Sequence, residues 1–273
     1  MLTRILSAAL LAPLAIVGIM WLPTHIVAVL LAAIMLLALW EWIRLCGEFA
    51  LTARLGLLAL NALTMVLLAW HGWPHLASAV SLVGMLWWLA AAGWAWRWRL
   101  RNLAEIGTIR PGVSLIAGSL AIIPAWAALV LIHSGSSLGP RWALFALTLV
   151  WLVDIGAFLV GSRLGRRKLA PNISPNKTWE GFWGGMVAAA LGSVAALPLL
   201  GLEWSSLPAL LVLASVTALF AVLGDLFESL LKRVAHIKDS GHVIPGHGGM
   251  LDRIDSMLAA LPAFVIARIW LGL

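Results

Sequence analysis

"FAVLGDLFESLLKR", residues 220–233, reads as the end of a membrane helix that carries two carboxylates inside its apolar run. Upstream the run continues without a break, so the whole stretch over about 206–231 predicts a single helix. That length meets the requirement of about 20 mostly apolar residues for crossing a bilayer. An ionised group at the depth of Asp225 costs several kcal/mol unless it is paired, hydrated or bound to a cation. Helical spacing puts Asp225, Glu228, Ser229 and Lys232 on one face. A pairing of Glu228 with Lys232 is the simplest local answer, and it leaves Asp225 in need of another partner.

The rest of the chain has the same character. Its 273 residues are 63% hydrophobic and only 11% charged, and the mean hydropathy is +1.02. These values exclude an ordinary soluble domain. The long unbroken apolar runs exclude a barrel, so helices that satisfy their own backbone are expected. The fold class is therefore all-α: a polytopic integral membrane protein of about nine transmembrane helices, over about 4–21, 25–45, 54–70, 76–96, 112–132, 142–161, 180–200, 206–231 and 253–272. The first of these is taken as a retained helix and not a secretory signal, because more spans follow it. With the N-terminus in the cytoplasm and the C-terminus outside, 16 of the 18 lysines and arginines fall on the inner side, and only Arg141 and Arg268 lie elsewhere.

The net charge of +7 and pI near 11 would suggest a nucleic-acid partner in a soluble protein. Beside membrane helices the same residues set topology and attract anionic lipid, so no nucleic acid is expected. One cysteine, Cys46, rules out an internal disulfide and reads as a passive thiol near a helix end. Of the 17 tryptophans many, such as Trp21, Trp40, Trp42, Trp70, Trp73, Trp96, Trp98 and Trp142, stand near span boundaries and read as interfacial anchors.

Eleven carboxylates exist in the chain. Glu41, Glu48, Glu105 and Glu203 read as plain surface charges. The other seven, Asp154, Glu180, Asp225, Glu228, Asp239, Asp252 and Asp255, all fall in the C-terminal half, near the cytoplasmic ends of the last four helices. In "PGHGGMLDRID" (245–255) a Gly248-Gly249 step leads into the final helix. Free backbone N–H groups at such a start, with the helix dipole, favour phosphate. Asp252 and Asp255 sit beside that cradle on one face, an arrangement that makes sense with a hard divalent cation between carboxylates and phosphates. Mg²⁺ takes one or two protein carboxylates, keeps several waters and binds substrate phosphates.

A third segment, "GSRLGRRKLAPNISPNKTWEG" (161–181), supplies cations suited to polyphosphate. Ser174, Lys177 and Thr178 resemble a phosphate grip with a helix N-cap, although the glycine-rich lead of a P-loop is missing. His236, His242 and His247 lack the helical spacing of a zinc site, and His247 in the glycine turn is a possible phosphate contact.

These blocks resemble the phosphatidate cytidylyltransferase (CDP-diacylglycerol synthase) family. The match runs over Ser229, Lys232-Arg233, Lys238-Asp239, Gly241, Pro245, His247-Gly248-Gly249, Asp252-Arg253 and Asp255, and also over "DIGAFLVGSRLG…KLAPNISPNKTWEG" upstream. Phe158 and Ser162 depart from it, standing where Tyr and Arg are expected. Resemblance is strong over 141–273, and the chain divides into N-terminal transmembrane helices, 1–140, and a C-terminal catalytic unit, 141–273.

The resemblance implies transfer of CMP from CTP to phosphatidic acid, giving CDP-diacylglycerol and pyrophosphate. It implies Mg²⁺, with K⁺ as a second cation, held by Asp225 and Asp252 with Asp255 close by. It also implies a homodimer in the inner (cytoplasmic) membrane whose site faces the cytoplasm. Lys177, Lys232 and Arg233 are expected to act with the two metal ligands in catalysis. Ser174, Lys177, Thr178, Lys238, Asp239, His247, Gly248, Gly249 and Arg253 are expected to bind substrate. Two rivals are weaker: a transporter spreads its acids through the bilayer, and a CDP-alcohol phosphotransferase needs a D-x-x-D-G pattern that is missing.

Overall fold

The computed structural model describes residues 13–71, 74–98, 111–241 and 248–273. The first half of the expected opening helix lies outside these residues, as do Trp73, Glu105, His242 and His247. The helices are α1 (residues 13–21), α2 (Thr24–Leu45), α3 (Leu51–His71), α4 (Pro74–Trp98), α5 (Pro111–Ser134), α6 (Gly139–Leu164), α7 (Trp179–Ala196), α8 (Leu207–Val234) and α9 (Leu251–Leu271). Among the described residues, seven helices (α2 to α6, α8 and α9) are long and apolar enough to cross a membrane. The structure is thus a bundle of apolar helices, as expected.

A small sheet interrupts the helical pattern. β1 (Lys168–Ala170) and β2 (Ser174–Thr178) pair antiparallel, Lys168 opposite Thr178 and Ala170 opposite Ser174, in a segment read from sequence as a loop. Pro171 and Asn172 occupy the centre of a turn that Ile173 closes by donating its N–H to the Ala170 carbonyl at 3.2 Å, chemistry these residues favour. Ala170 and Ile173 are buried against Ala95 and Leu230, which seats the hairpin on α4 and α8.

Close helix contacts depend on glycine. A Cβ on Gly184 of α7 would lie 2.5 Å from the Val160 side chain of α6, and one on Gly156 would lie 2.6 Å from the Gly184 carbonyl oxygen. Small residues let membrane helices approach this closely when no hydrophobic force drives them together. Between α8 and α9 the same device recurs, since a Cβ on Gly224 would lie 2.4 Å from the Asp255 carbonyl oxygen.

Two tryptophans expected at the interface are inside. Trp42 is 1% and Trp142 3% exposed. Trp42 stacks on Phe227, which Trp87, Trp88 and Trp94 also surround with ring centroids 5.5–6.1 Å away. Its indole donates to the Ser114 carbonyl at 2.9 Å, the partner a buried indole N–H needs. Trp21, Trp70 and Trp96 are exposed, as interfacial anchors should be. Glu41 also departs from its reading as a surface charge: it is 1% exposed.

The glycine contacts predict that Gly184→Val destabilises the bundle by about 1–3 kcal/mol through overpacking. Gly93→Ala, where nothing lies within 4 Å, is expected to be neutral or mildly stabilising; thermal unfolding in detergent compares the two. Burial pushes the Cys46 thiol up to about 11, against a smaller opposing effect of its Ser114 and Trp42 contacts. Since the thiolate is the nucleophile, maleimide labelling near pH 8 should be slow in the folded protein and fast after denaturation.

Candidate active site

Helix α8 carries the polar face foreseen from its spacing. It ends in a reversal built on His236, whose φ of 56° is the only left-handed non-glycine value among the described residues. Its N–H bonds to the Arg233 carbonyl at 3.1 Å, and the Ile237 N–H to the Lys232 carbonyl at 3.0 Å. This is the helix-stop pattern usually given to glycine. It turns the chain back so that residues 238–241 return over the start of α9. His236 therefore ends a helix.

Lys232 is the junction of two helices. Its Nζ lies 2.5 Å from Glu228 Oε2 in the same helix and 2.7 Å from Asp252 Oδ1 in α9. Asp252 Oδ2 accepts the backbone N–H groups of Ser240 at 3.0 Å and Gly249 at 2.8 Å. Glu228 is 2% exposed, and Lys232 provides its compensating charge.

The second centre lies around Asp225. Lys177, brought in by β2, forms an ion pair with its Oδ2, and Ser229 donates to Oδ1 at 3.4 Å. Asp225 interacts electrostatically with Asp154 of α6 and Asp255 of α9, and Asp255 does so with Glu228. The missing side chain of Gly224 permits this proximity. The two centres thus form one connected set of five carboxyl groups (Asp154, Asp225, Glu228, Asp252, Asp255) and two lysines (Lys177, Lys232).

A cavity of about 720 Å³ opens beside Asp225, with Asp154, Lys168, Ser174, Lys177 and Thr178 on its polar wall. That volume suits a nucleotide-sized ligand. Thr178 Oγ1 accepts the Gly181 N–H at 3.1 Å and so caps α7, as its position before the helix suggests. Glu180 accepts the N–H groups of Arg166 and Arg167 at 3.0 and 3.2 Å, tying the loop after α6 to the start of α7. The stretch from Val153 to Phe182 and helix α8 thereby meet in one polar cavity.

Other expected site residues stand differently. Arg233 donates through Nε to the Ile173 carbonyl at 3.2 Å, so it holds the hairpin turn. Lys238, Asp239 and Arg253 are exposed, and Gly248 has a φ of +82°. The N–H groups of Gly249, Met250 and Leu251 donate to Asp252 and Glu41 at 2.8–3.0 Å. The amides read from sequence as a free phosphate cradle are occupied by carboxylates. Sequence reasoning passed over Glu41, and it left Asp154 and Glu228 out of the expected site residues.

Among the described residues no group of three or more His, Cys, Asp or Glu side chains is gathered to hold a metal ion. Asp154 and Asp225 nonetheless present carboxyl oxygens to the polar cavity. That donor set, hard oxygen beside a polar cavity, fits a cation that takes few protein ligands and completes its shell with water and phosphate.

Removing Lys232 would leave Glu228 and Asp252 unbalanced. Lys232→Met is expected to cost about 3–5 kcal/mol, and adding Glu228→Gln should restore part of that loss. Equal melting temperatures for Lys232→Met and the unsubstituted protein would contradict the junction.

The family model for the cytidylyltransferase family matches residues 2–270. A curated protein of Pseudomonas aeruginosa, named phosphatidate cytidylyltransferase, is 37% identical over 98% of this chain and 96% of its own length. Proteins of the same name from Staphylococcus epidermidis and Staphylococcus aureus are 34% identical over 88% of this chain and 97% of theirs. With a match that spans both halves of the bundle, the chain belongs to the cytidylyltransferase family.

Proposed function

We propose that this chain transfers the cytidylyl group of CTP to phosphatidic acid, giving CDP-diacylglycerol and pyrophosphate in phospholipid biosynthesis. Supporting this reading is a nucleotide-sized cavity whose wall pairs Lys168 and Lys177 with Asp154 and Asp225, in a chain whose relatives bear that name. The phosphate of phosphatidate is already an anionic nucleophile near neutral pH, so no strong general base is needed. One of its oxygens forms a bond to the α-phosphorus of CTP, the bond from that phosphorus to the bridging oxygen breaks, and pyrophosphate leaves with the electron pair. Mutual repulsion of two anions is the main barrier, and fixed positive charge lowers it.

Lys177, with Ser174 beside it, and Lys168 face the cavity and meet the triphosphate. Lys232 holds Asp252 in place, and the exposed cations Arg253 and Lys238 draw the lipid headgroup to the site. Asp225 and Asp252 are the proposed ligands of Mg²⁺, with Asp255 and Asp154 adjacent and K⁺ as a second cation. When bound, Mg²⁺ neutralises charge developing on the leaving phosphates. We further propose nine spans, with α1 and α7 joining the seven long apolar helices. The N-terminus is cytoplasmic and the C-terminus outside in the inner membrane, the site opens to the cytoplasm, and the working form is a homodimer. In this division residues 1–140 support the catalytic unit of 141–273.

Detergent-solubilised protein is expected to release pyrophosphate from CTP only when phosphatidate and Mg²⁺ are both present. Asp225→Asn and Asp252→Asn should each lower kcat by about 100-fold or more without unfolding the protein. Near-normal turnover in either would refute its metal role.

A further inference from the structure

Glu41 lies in the last turns of α2, about 200 residues before the segment it touches. Its Oε1 accepts the Met250 N–H at 3.0 Å, and its Oε2 accepts the Leu251 N–H at 2.8 Å and the Ser240 hydroxyl at 2.9 Å. Three donors converge on one side chain that is 1% exposed. Hydrogen bonds to an ionised acceptor are shorter and about twice as strong as neutral ones, and a carboxylate at a helix start also meets the positive end of the dipole.

The same backbone serves Asp252. Ser240 gives its N–H to Asp252 and its hydroxyl to Glu41, while Gly249 gives its N–H to Asp252 and the next two amides go to Glu41. The two carboxylates therefore hold one turn from opposite sides. Two glycines make room for Glu41: a Cβ on Gly241 or on Gly249 would lie 2.3 Å from its carboxylate oxygens. Five separate features of the chain, the Ser240 hydroxyl, the Met250 and Leu251 amides and the Gly241 and Gly249 positions, are thus fitted to this one side chain. A surface charge has no such surroundings.

We propose that Glu41 is a positioning residue for the transfer reaction: by fixing the turn at 248–251 and Ser240 it sets the orientation of Asp252. The proposal rests on Asp252 acting in the reaction described above. It makes an N-terminal helix part of the active-site framework, although Glu41 itself touches neither substrate.

The test uses the full chain in detergent or lipid nanodiscs. Glu41→Gln keeps size but replaces one acceptor oxygen by an N–H₂ group facing donors. It is expected to lower kcat by about 10- to 100-fold, the usual loss when the support of a ligand carboxylate is removed. The KM for CTP should stay within about twofold, and the melting temperature should barely move. Deuterium exchange should quicken in the peptide covering 248–256 and stay unchanged in α8. Ser240→Ala should shift kcat in the same direction by less, and Glu48→Gln, an exposed acid on the following loop, should leave activity intact.

A kcat for Glu41→Gln within twofold of the unsubstituted protein overturns the proposal. So does a loss that only tracks unfolding, with Ser240→Ala fully active and exchange at 248–256 no faster than elsewhere. Should the unsubstituted chain itself release no pyrophosphate from CTP and phosphatidate, the reaction reading fails, while the exchange measurement still decides whether Glu41 holds the turn.

Discussion

A single lysine between two acids organises the polar end of this bundle. Lys232 meets Glu228 from its own helix and Asp252 from the next. A buried carboxylate such as Glu228 has no stable place in an apolar helix without that charge. Once Lys232 is committed, α8 and α9 are held in register, Asp252 is pulled toward α8, and its second oxygen can draw in the amides of Ser240 and Gly249. The Gly224 contact then brings Asp255 beside Asp225. The chemistry of the site follows from this order of constraints: charge balance first, helix register second, placement of the acids third.

Much of this was legible in the sequence. The four-residue polar face of α8 follows from spacing alone, and the carboxyl cluster stands out because acids are so scarce elsewhere. Lys177 was expected at a phosphate site, and its ion pair with Asp225 supplies the partner that a membrane-depth carboxylate demanded. The hairpin over 168–178 was missed because its strands are short and β2 contains a proline, which resembles a loop in sequence. Trp42 and Trp142 were misjudged since position near a boundary says nothing about which way a ring points.

Glu41 was the larger omission, and its cause is physical. In sequence it stands beside Trp42 and close to Arg44, the ordinary setting of a surface acid. Its true partners are about 200 residues away and are mostly backbone amides, which leave no trace in residue identity. The one available hint was the set of glycines at 241, 248 and 249, which signals close approach without naming what approaches. Backbone-mediated contacts across a long sequence gap are the class of interaction that composition and spacing are least able to reveal.

Helix α8 separates two unlike surroundings. Asp225 lies against the polar cavity, and Phe227, two residues on, is enclosed by four indoles. Turning the helix about its axis by two residues, about 200°, would drive Asp225 toward the tryptophans and the phenyl ring toward the polar face. The azimuth of α8 is therefore pinned by solvation on both sides at once, and any adjustment that admits a lipid headgroup has to come from the elements around this fixed axle.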